Sequence, residues 1–334
     1  MAGGFSIEVS NLNKSFGVME AVRDISFTVA PGEVVGFLGP NGAGKSTTIK
    51  ILCGLLAATS GRVRIGDISV AQFPEKIKDR VGYMPENNPL PEDMRINEYL
   101  AHRARLKGLR GKEVEVRVQE VLELCDLYRT ARSKIISTLS KGFRQRVGIA
   151  DVLLGKPELV IMDEPTIGLD PHQVLLMRKL IQSLKGQMTF VISSHILAEI
   201  EKVCDRVIII NRGSIVASGS SRELREEFIP VVGVKLILEG DAHKFVQNLN
   251  REKDLIHFYS IVDQSSEGAS ISLEVFDWTQ FRVWLEEQLS HSSGLKINEI
   301  ARLESSLEDI FMAATKRSWD DEGNKIKPYL TGMS

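Results

Sequence analysis

Nine residues, Gly39-Pro40-Asn41-Gly42-Ala43-Gly44-Lys45-Ser46-Thr47, restrict what this chain can fold into more than any others. The apolar run before them, Val34-Val35-Gly36-Phe37-Leu38, reads as a buried strand. The residues after them, Thr48-Ile49-Lys50-Ile51-Leu52, carry the apolar spacing of a helix packed on that strand. A strand, a glycine-rich turn and Gly-Lys-Ser opening a helix form the context in which a backbone wraps a polyphosphate. The glycines let N–H groups converge without a Cβ in the way, and the helix N-terminus adds partial positive charge. Lys45 brings a full charge toward the β- and γ-phosphates, and Ser46 offers a hydroxyl to Mg2+.

A second stretch supplies the complementary charge. Leu159-Val160-Ile161-Met162 is the apolar body of a parallel strand, and Asp163-Glu164 closes it. A strand buried on both faces excludes charge from its interior, so the two acids belong at its C-terminal end, where ligands of open α/β sheets lie. Asp163 is placed to hold Mg2+, and Glu164 to orient or deprotonate an attacking water. A further apolar strand, residues 189–194, ends at His195, which the same sheet edge brings toward the phosphate loop. Ser140 stands at the N-cap position of a helix over residues 147–154, with Gly142 in its first turn, an end that attracts anions. Pro171 suits the first position of a helix running to about residue 185. Phe16, expected in a loop between strands over 6–9 and 21–29, offers an aromatic face to an adenine ring.

Bulk properties narrow the class. At 334 residues the chain is long for one domain and suggests two. A formal net charge of −2 gives no electrostatic case for nucleic acid as the main partner. Cys53, Cys125 and Cys204 are far apart, which fits buried thiols in a reducing compartment rather than a disulfide framework. No run approaches the ~20 apolar residues that cross a bilayer, and residues 1–6 lack the features of a signal peptide. The expected location is cytoplasmic, with any membrane link made through a partner.

In this order the motifs resemble those of the ATP-binding cassette (ABC) ATPases, over about residues 5–220. Residues 39–47 match the Walker A motif, 159–164 Walker B, 139–143 the signature loop, 168–170 the D-loop, and His195 the switch histidine. Phe16 falls where that family places its adenine-stacking aromatic. The resemblance implies an α/β fold, a P-loop NTPase core of the ABC ATPase type: a mixed sheet with a helical subdomain (about 86–150) within a cassette of residues 5–222. It also implies ATP and Mg2+ as ligands, Asp170, Ser140 and Gly142 as nucleotide contacts, and head-to-tail pairing with a second cassette, in the simplest case an identical chain. Two positions depart from the usual pattern. The signature reads Leu139-Ser140-Lys141-Gly142-Phe143 where Leu-Ser-Gly-Gly-Gln is commonest, and Glu86 stands where the family has a Mg2+-sensing glutamine. Both variants are similar to those of ABC-2-type exporter subunits, which drive a separate transmembrane permease from the cytoplasmic face of the membrane. The helical region near 86–110 would receive a short permease helix. Two other readings fit the same motifs: a soluble ABC ATPase of translation or DNA repair, and a regulatory cassette with weak hydrolysis. The first class typically carries two cassettes or a long coiled-coil insert, and this chain shows a single cassette and no sustained heptads.

Within residues 92–133 the periodicity is helical, with Ile96, Tyr99 and Leu100 on one face and Val114, Val118, Val121, Leu122 and Leu124 on a second. From residue 229 to 316 the pattern reads β-α-β-β-α-β followed by a closing helix over 306–315, a small C-terminal α+β, ferredoxin-like domain. It shows no acid–base or metal constellation, and a role in pairing or regulating cassettes is expected. Residues 317–334 are polar and expected to form a poorly ordered tail.

Overall fold

The computed structural model describes residues 4–240, 242–265, 268–290, 295–303 and 305–320. The chain divides into two compact units, Met1–Ser221 and Arg222–Ser334.

The first unit holds two sheets. Strands β1 (Ile7–Phe16) and β2 (Met19–Val29) form an antiparallel hairpin. After β3 (Val34–Leu38) and α1 (Lys45–Leu52), β4 (Ser60–Ile65) and the short β5 (Ile68–Ser69) complete a sheet of order β2-β1-β4-β5. Helix α2 (Pro74–Arg80) leads to β6 (Val81–Met84), and α3 (Ile96–Leu106), α4 (Lys112–Leu124) and α5 (Lys141–Leu154) follow. Then come β7 (Leu159–Asp163), α6 (Pro171–Leu184), β8 (Thr189–Ser194), α7 (Leu197–Ile200), β9 (Arg206–Asn211) and β10 (Ser214–Gly219). The second sheet has the order β10-β9-β3-β8-β7-β6, parallel from β9 to β6 with β10 antiparallel at its edge. Every residue of β3, β7 and β8 is buried, which explains why these strands read as continuous apolar runs without alternation. Ile7, Leu12, Ile25 and Phe27 of the antiparallel sheet share one core with Phe37, Ile161, Val191 and Ile208 of the parallel one and with Ile49 and Leu52 of α1.

Several local expectations are corrected. Phe16 is the last residue of β1, paired with Met19 across a two-residue turn, and not a residue of an open loop between shorter strands. The polar second half of β1 and its register shifts hide it from a period-two pattern. Helix α5 starts at Lys141, six residues before the expected start. Leu124 is exposed; Cys125 takes the buried place that closes the α4 face.

The three helices α3, α4 and α5 are held together by polar anchors as well as apolar packing. Tyr99 Oη donates to Asp151 Oδ2 (3.0 Å), and Arg103 Nε donates to Asp151 Oδ1 (2.9 Å). Arg117 of α4, itself buried, donates to the carbonyls of Leu153 and Leu154 (3.0 Å for Leu154), the last turn of α5. The N-terminal end of α5 is finished differently: Ser140 is its N-cap, yet the hydroxyl makes no capping bond.

Helix α8 (Ser221–Phe228) leads into the second unit: β11 (Val232–Glu239), α9 (His243–Leu249), β12 (Ile256–Ser265), β13 (Gly268–Val275), α10 (Trp278–Ser290), β14 (Lys296–Leu303) and α11 (Leu307–Asp320). Its sheet is antiparallel in the order β12-β13-β11-β14, the ferredoxin-like arrangement. Val234, Leu236, Ile271 and Leu273 pack with Phe245, Phe281 and Leu285 of α9 and α10. Helix α11 takes in the first four residues of the expected tail, 317–320, and residues 321–334 lie outside the described residues.

Candidate functional site

The phosphate loop occupies the turn between β3 and α1, and its shape follows from its glycines. Gly44, the N-cap of α1, has φ of 105°, a conformation a side chain would strain. A Cβ at Gly39 would collide with the backbone carbonyl of Ile210, so the loop lies directly on β9. Thr48 Oγ1 donates back to the Gly44 carbonyl at 3.0 Å and fixes the first turn of the helix.

Lys45 is only 6% exposed, and the loop itself satisfies its ammonium. Nζ donates to the carbonyls of Gly39 (2.7 Å) and Pro40 (3.2 Å) and stands 3.9 Å from Glu164 Oε1. Burial holds its pKa below the usual lysine range, and the charges of Glu164, Asp163 and Glu86 oppose that shift.

Asp163 ends β7, buried, with Ser193 Oγ of β8 donating to its Oδ1 at 2.5 Å. Glu164 follows in a left-handed backbone conformation, φ 50°, which costs a residue with a Cβ about 1–2 kcal/mol. That turn redirects its side chain away from the line of the strand. Its carboxylate is 2.7 Å from His195 Nδ1 and accepts from the His195 backbone N–H at 3.3 Å. With the carboxylate accepting, the ring contact requires the tautomer that carries its proton on Nδ1. Lys45, Glu164 and His195 thus form one connected set at the C-terminal ends of the parallel strands.

A cleft of about 530 Å3 opens over this set. Of the expected residues, Phe16, Pro40, Asn41, Gly42, Gly44, Lys45, Ser46, Thr47, Glu86, Glu164 and His195 line it. Gly39, Ala43 and Asp163 are buried beneath it. Phe16 is 45% exposed, with the Lys14 ammonium 4.9 Å from its ring centre. Ser140, Gly142 and Asp170 are not brought to the cleft. Asp170 Oδ1 caps α6 by accepting from Gln173 N–H (2.9 Å), and the Gln173 side chain lies so close to Gly142 that any Cβ there would collide with it. Lys141 Nζ lies beside Gly168. The signature and D-loop residues therefore form a second cluster of their own.

Sequence reasoning missed Met19, Ala21 and Ile167 on the cleft wall, and Ser193 beneath it. Ser193 could have been found only by pairing β7 with β8, since it is the register partner of Asp163.

The model of the family described as "ABC transporter" matches residues 22–167. The linearmycin resistance ATP-binding protein LnrL of Bacillus subtilis is 37% identical over 319 residues, covering 94% of this chain and 100% of that protein. The Nod factor export ATP-binding protein I of Rhizobium etli is 30% identical, over 94% of this chain and 95% of its own. The bacitracin transport ATP-binding protein BcrA of Bacillus licheniformis is 32% identical, over 92% and 96%. Among solved structures, an ATP-binding subunit of an ABC transporter superposes with a TM-score of 0.61 at 34% identity, covering 66% of this chain and 92% of that one. CbiO1 of Clostridium perfringens, part of the ABC transporter complex cbiONQ, gives 0.62 at 28% identity, over 67% and 92%.

Proposed function

The chain belongs to the ATP-binding proteins of ABC transporters, and from that premise we propose that it is the ATP-hydrolysing subunit of an exporter whose membrane-spanning permease is a separate polypeptide. The observation that carries the reading is the Lys45–Glu164–His195 set, its lysine and glutamate buried and its imidazole open to solvent, at a cleft walled by the phosphate loop. In this proposal Lys45 exchanges its two loop carbonyls for β- and γ-phosphate oxygens, and the loop N–H groups and the α1 N-terminus share the remaining charge. Phe16 stacks on the adenine. Glu164 orients the attacking water and takes its proton, while His195 holds the carboxylate in place through Nδ1.

The donors near the loop suit a hard divalent cation: a hydroxyl from Ser46 and carboxylates from Asp163 and Glu86. Asp163 is buried with a hydroxyl as its hydrogen-bond donor, an arrangement in which a cation offsets the cost of an otherwise poorly compensated charge. These residues would hold Mg2+, which neutralises phosphate charge when bound.

Ser140, Gly142 and Asp170 act on nucleotide held by a second copy, since none of them lines the cleft of its own chain. Two ATP molecules then join two cassettes, and hydrolysis releases them. The permease engages the helical region near residues 86–110 and fixes the protein at the cytoplasmic face of the membrane. Among the described residues no helix is long and apolar enough to cross a membrane. The second unit assists pairing or regulates it.

The test is to express the full chain with the membrane proteins encoded beside it and to purify it in detergent. ATP hydrolysis and a retained polytopic membrane protein are expected. Hydrolysis accompanied only by ribosomes or DNA would overturn the exporter reading.

A further inference from the structure

We propose that Ser193 is the positioning residue for both acids of the site, an inference that rests on the roles given above to Asp163 and Glu164. Its side chain is fully buried in β8, a strand whose preceding residues Phe190, Val191 and Ile192 are apolar. A hydroxyl in such a place costs free energy unless it is bonded, and a small apolar residue would fill the same space. Here both of its functions are committed. Oγ donates its single proton to Asp163 Oδ1 at 2.5 Å and accepts the backbone N–H of Glu164 at 3.0 Å. Because the Glu164 N–H can only donate, the hydroxyl proton is directed to Asp163. The Ser193 carbonyl also accepts from Glu164 N–H, at 3.2 Å.

Two consequences follow from this geometry. First, Oδ1 of Asp163 is occupied, which leaves Oδ2 for the cation and fixes the rotation of the carboxylate. Second, the peptide that carries Glu164 into its left-handed conformation is tied to β8 from both the side chain and the main chain of one residue. The metal-facing acid and the water-facing acid are therefore set relative to each other by one hydroxyl, and neither touches the reacting atoms through it.

The experiment measures ATP affinity with magnesium chloride and with EDTA, in the cold so that turnover is negligible, for full-length wild type, Ser193→Ala, Ser193→Thr and Asp163→Asn. It then measures kcat and KM at saturating Mg2+. Losing a hydrogen bond to a charged group corresponds to about tenfold or more. Ser193→Ala is accordingly expected to cut the Mg2+-dependent gain in affinity about tenfold and to lower kcat about tenfold, with affinity in EDTA unchanged and KM moved far less than kcat. Ser193→Thr, which keeps the hydroxyl, should restore most of both. If Ser193→Ala does not fold, Ser193→Cys fills the volume with a poor donor and should show the same split. A Ser193→Ala protein with the wild-type Mg2+ gain, or a Thr variant as impaired as the Ala one, overturns the proposal. If Asp163→Asn also retains the Mg2+ gain, it is the assignment of Asp163 that fails; if Asp163→Asn loses it and Ser193→Ala keeps it, only the role of Ser193 fails.

Discussion

The two units each contain a cleft, and the clefts are nearly equal in size: about 530 Å3 over the phosphate loop and about 590 Å3 in the second unit. Their floors differ. Under the first lie Lys45, Asp163, Glu164 and Ser193, all buried, each held by a specific partner. The second is walled by Phe276, Leu303 and Met312, each roughly half exposed, and its His257–Glu274 pair is 4.0 Å apart with the imidazole open to solvent. Every buried polar or charged side chain among the described residues belongs to the first unit. Volume alone does not make a chemical site; buried charge that is paired and aimed does, because burying it costs stability that packing alone would never require. The second unit is built for its core.

That contrast is broken or sharpened by substitution. The largest effect is expected from Phe281→Ala, which empties a fully buried position in the second core and should destabilise that unit by about 3–5 kcal/mol. Two-wavelength thermal unfolding should show an early transition with ATP affinity unchanged. If affinity falls in step, the two units melt as one and the contrast is lost. Next comes Glu164→Gln, which removes the base while keeping the shape, and should lower kcat by about 100-fold or more with ATP still bound. Size-exclusion chromatography with ATP should then show an accumulated dimer, and turnover at the wild-type rate would remove Glu164 from the mechanism.

The smallest effect is electrostatic. Burial depresses the folded-state pKa of Lys45 below the ordinary 10.5, so the unfolded chain binds more protons in the window just under that value. Stability of the nucleotide-free protein from this group therefore rises with pH there. Polyphosphate favours the charged amine, so binding takes up part of a proton and ATP affinity should weaken by about two- to fivefold across that alkaline window. Calorimetry in buffers of different ionisation enthalpy reads the uptake, and Lys45→Arg, charged throughout, should abolish it.

What could be read without coordinates was whatever depends on near neighbours in the chain. The loop 39–47, the apolar strands and the acids that end one of them announce themselves locally, and so does the β-α-β-β-α-β order of the second unit. Short helices such as α2 and α8 are too brief to set up a period. The hairpin end at Phe16 was hidden because Asn11, Asn13, Lys14 and Ser15 are polar and the register slips among them. Two features of the site had no local signal at all. The backbone turn at Glu164 is imposed by what surrounds it, and the hydroxyl of Ser193 matters only because β8 lies beside β7.

Arg117 gives α5 an asymmetry with a practical cost. Its guanidinium closes the carbonyl end of that helix, while at the amide end the hydroxyl of the N-cap Ser140 makes no capping bond. The helix is thus anchored at its C-terminal end, and in the proposed pairing it is the opposite end that is presented, like a pin driven in from behind. Loosening the anchor would take the side-chain donor from the Leu154 carbonyl and leave Leu153 only its backbone donors; in the proposed pairing, a fault distant from the nucleotide would then be felt as poor docking between molecules.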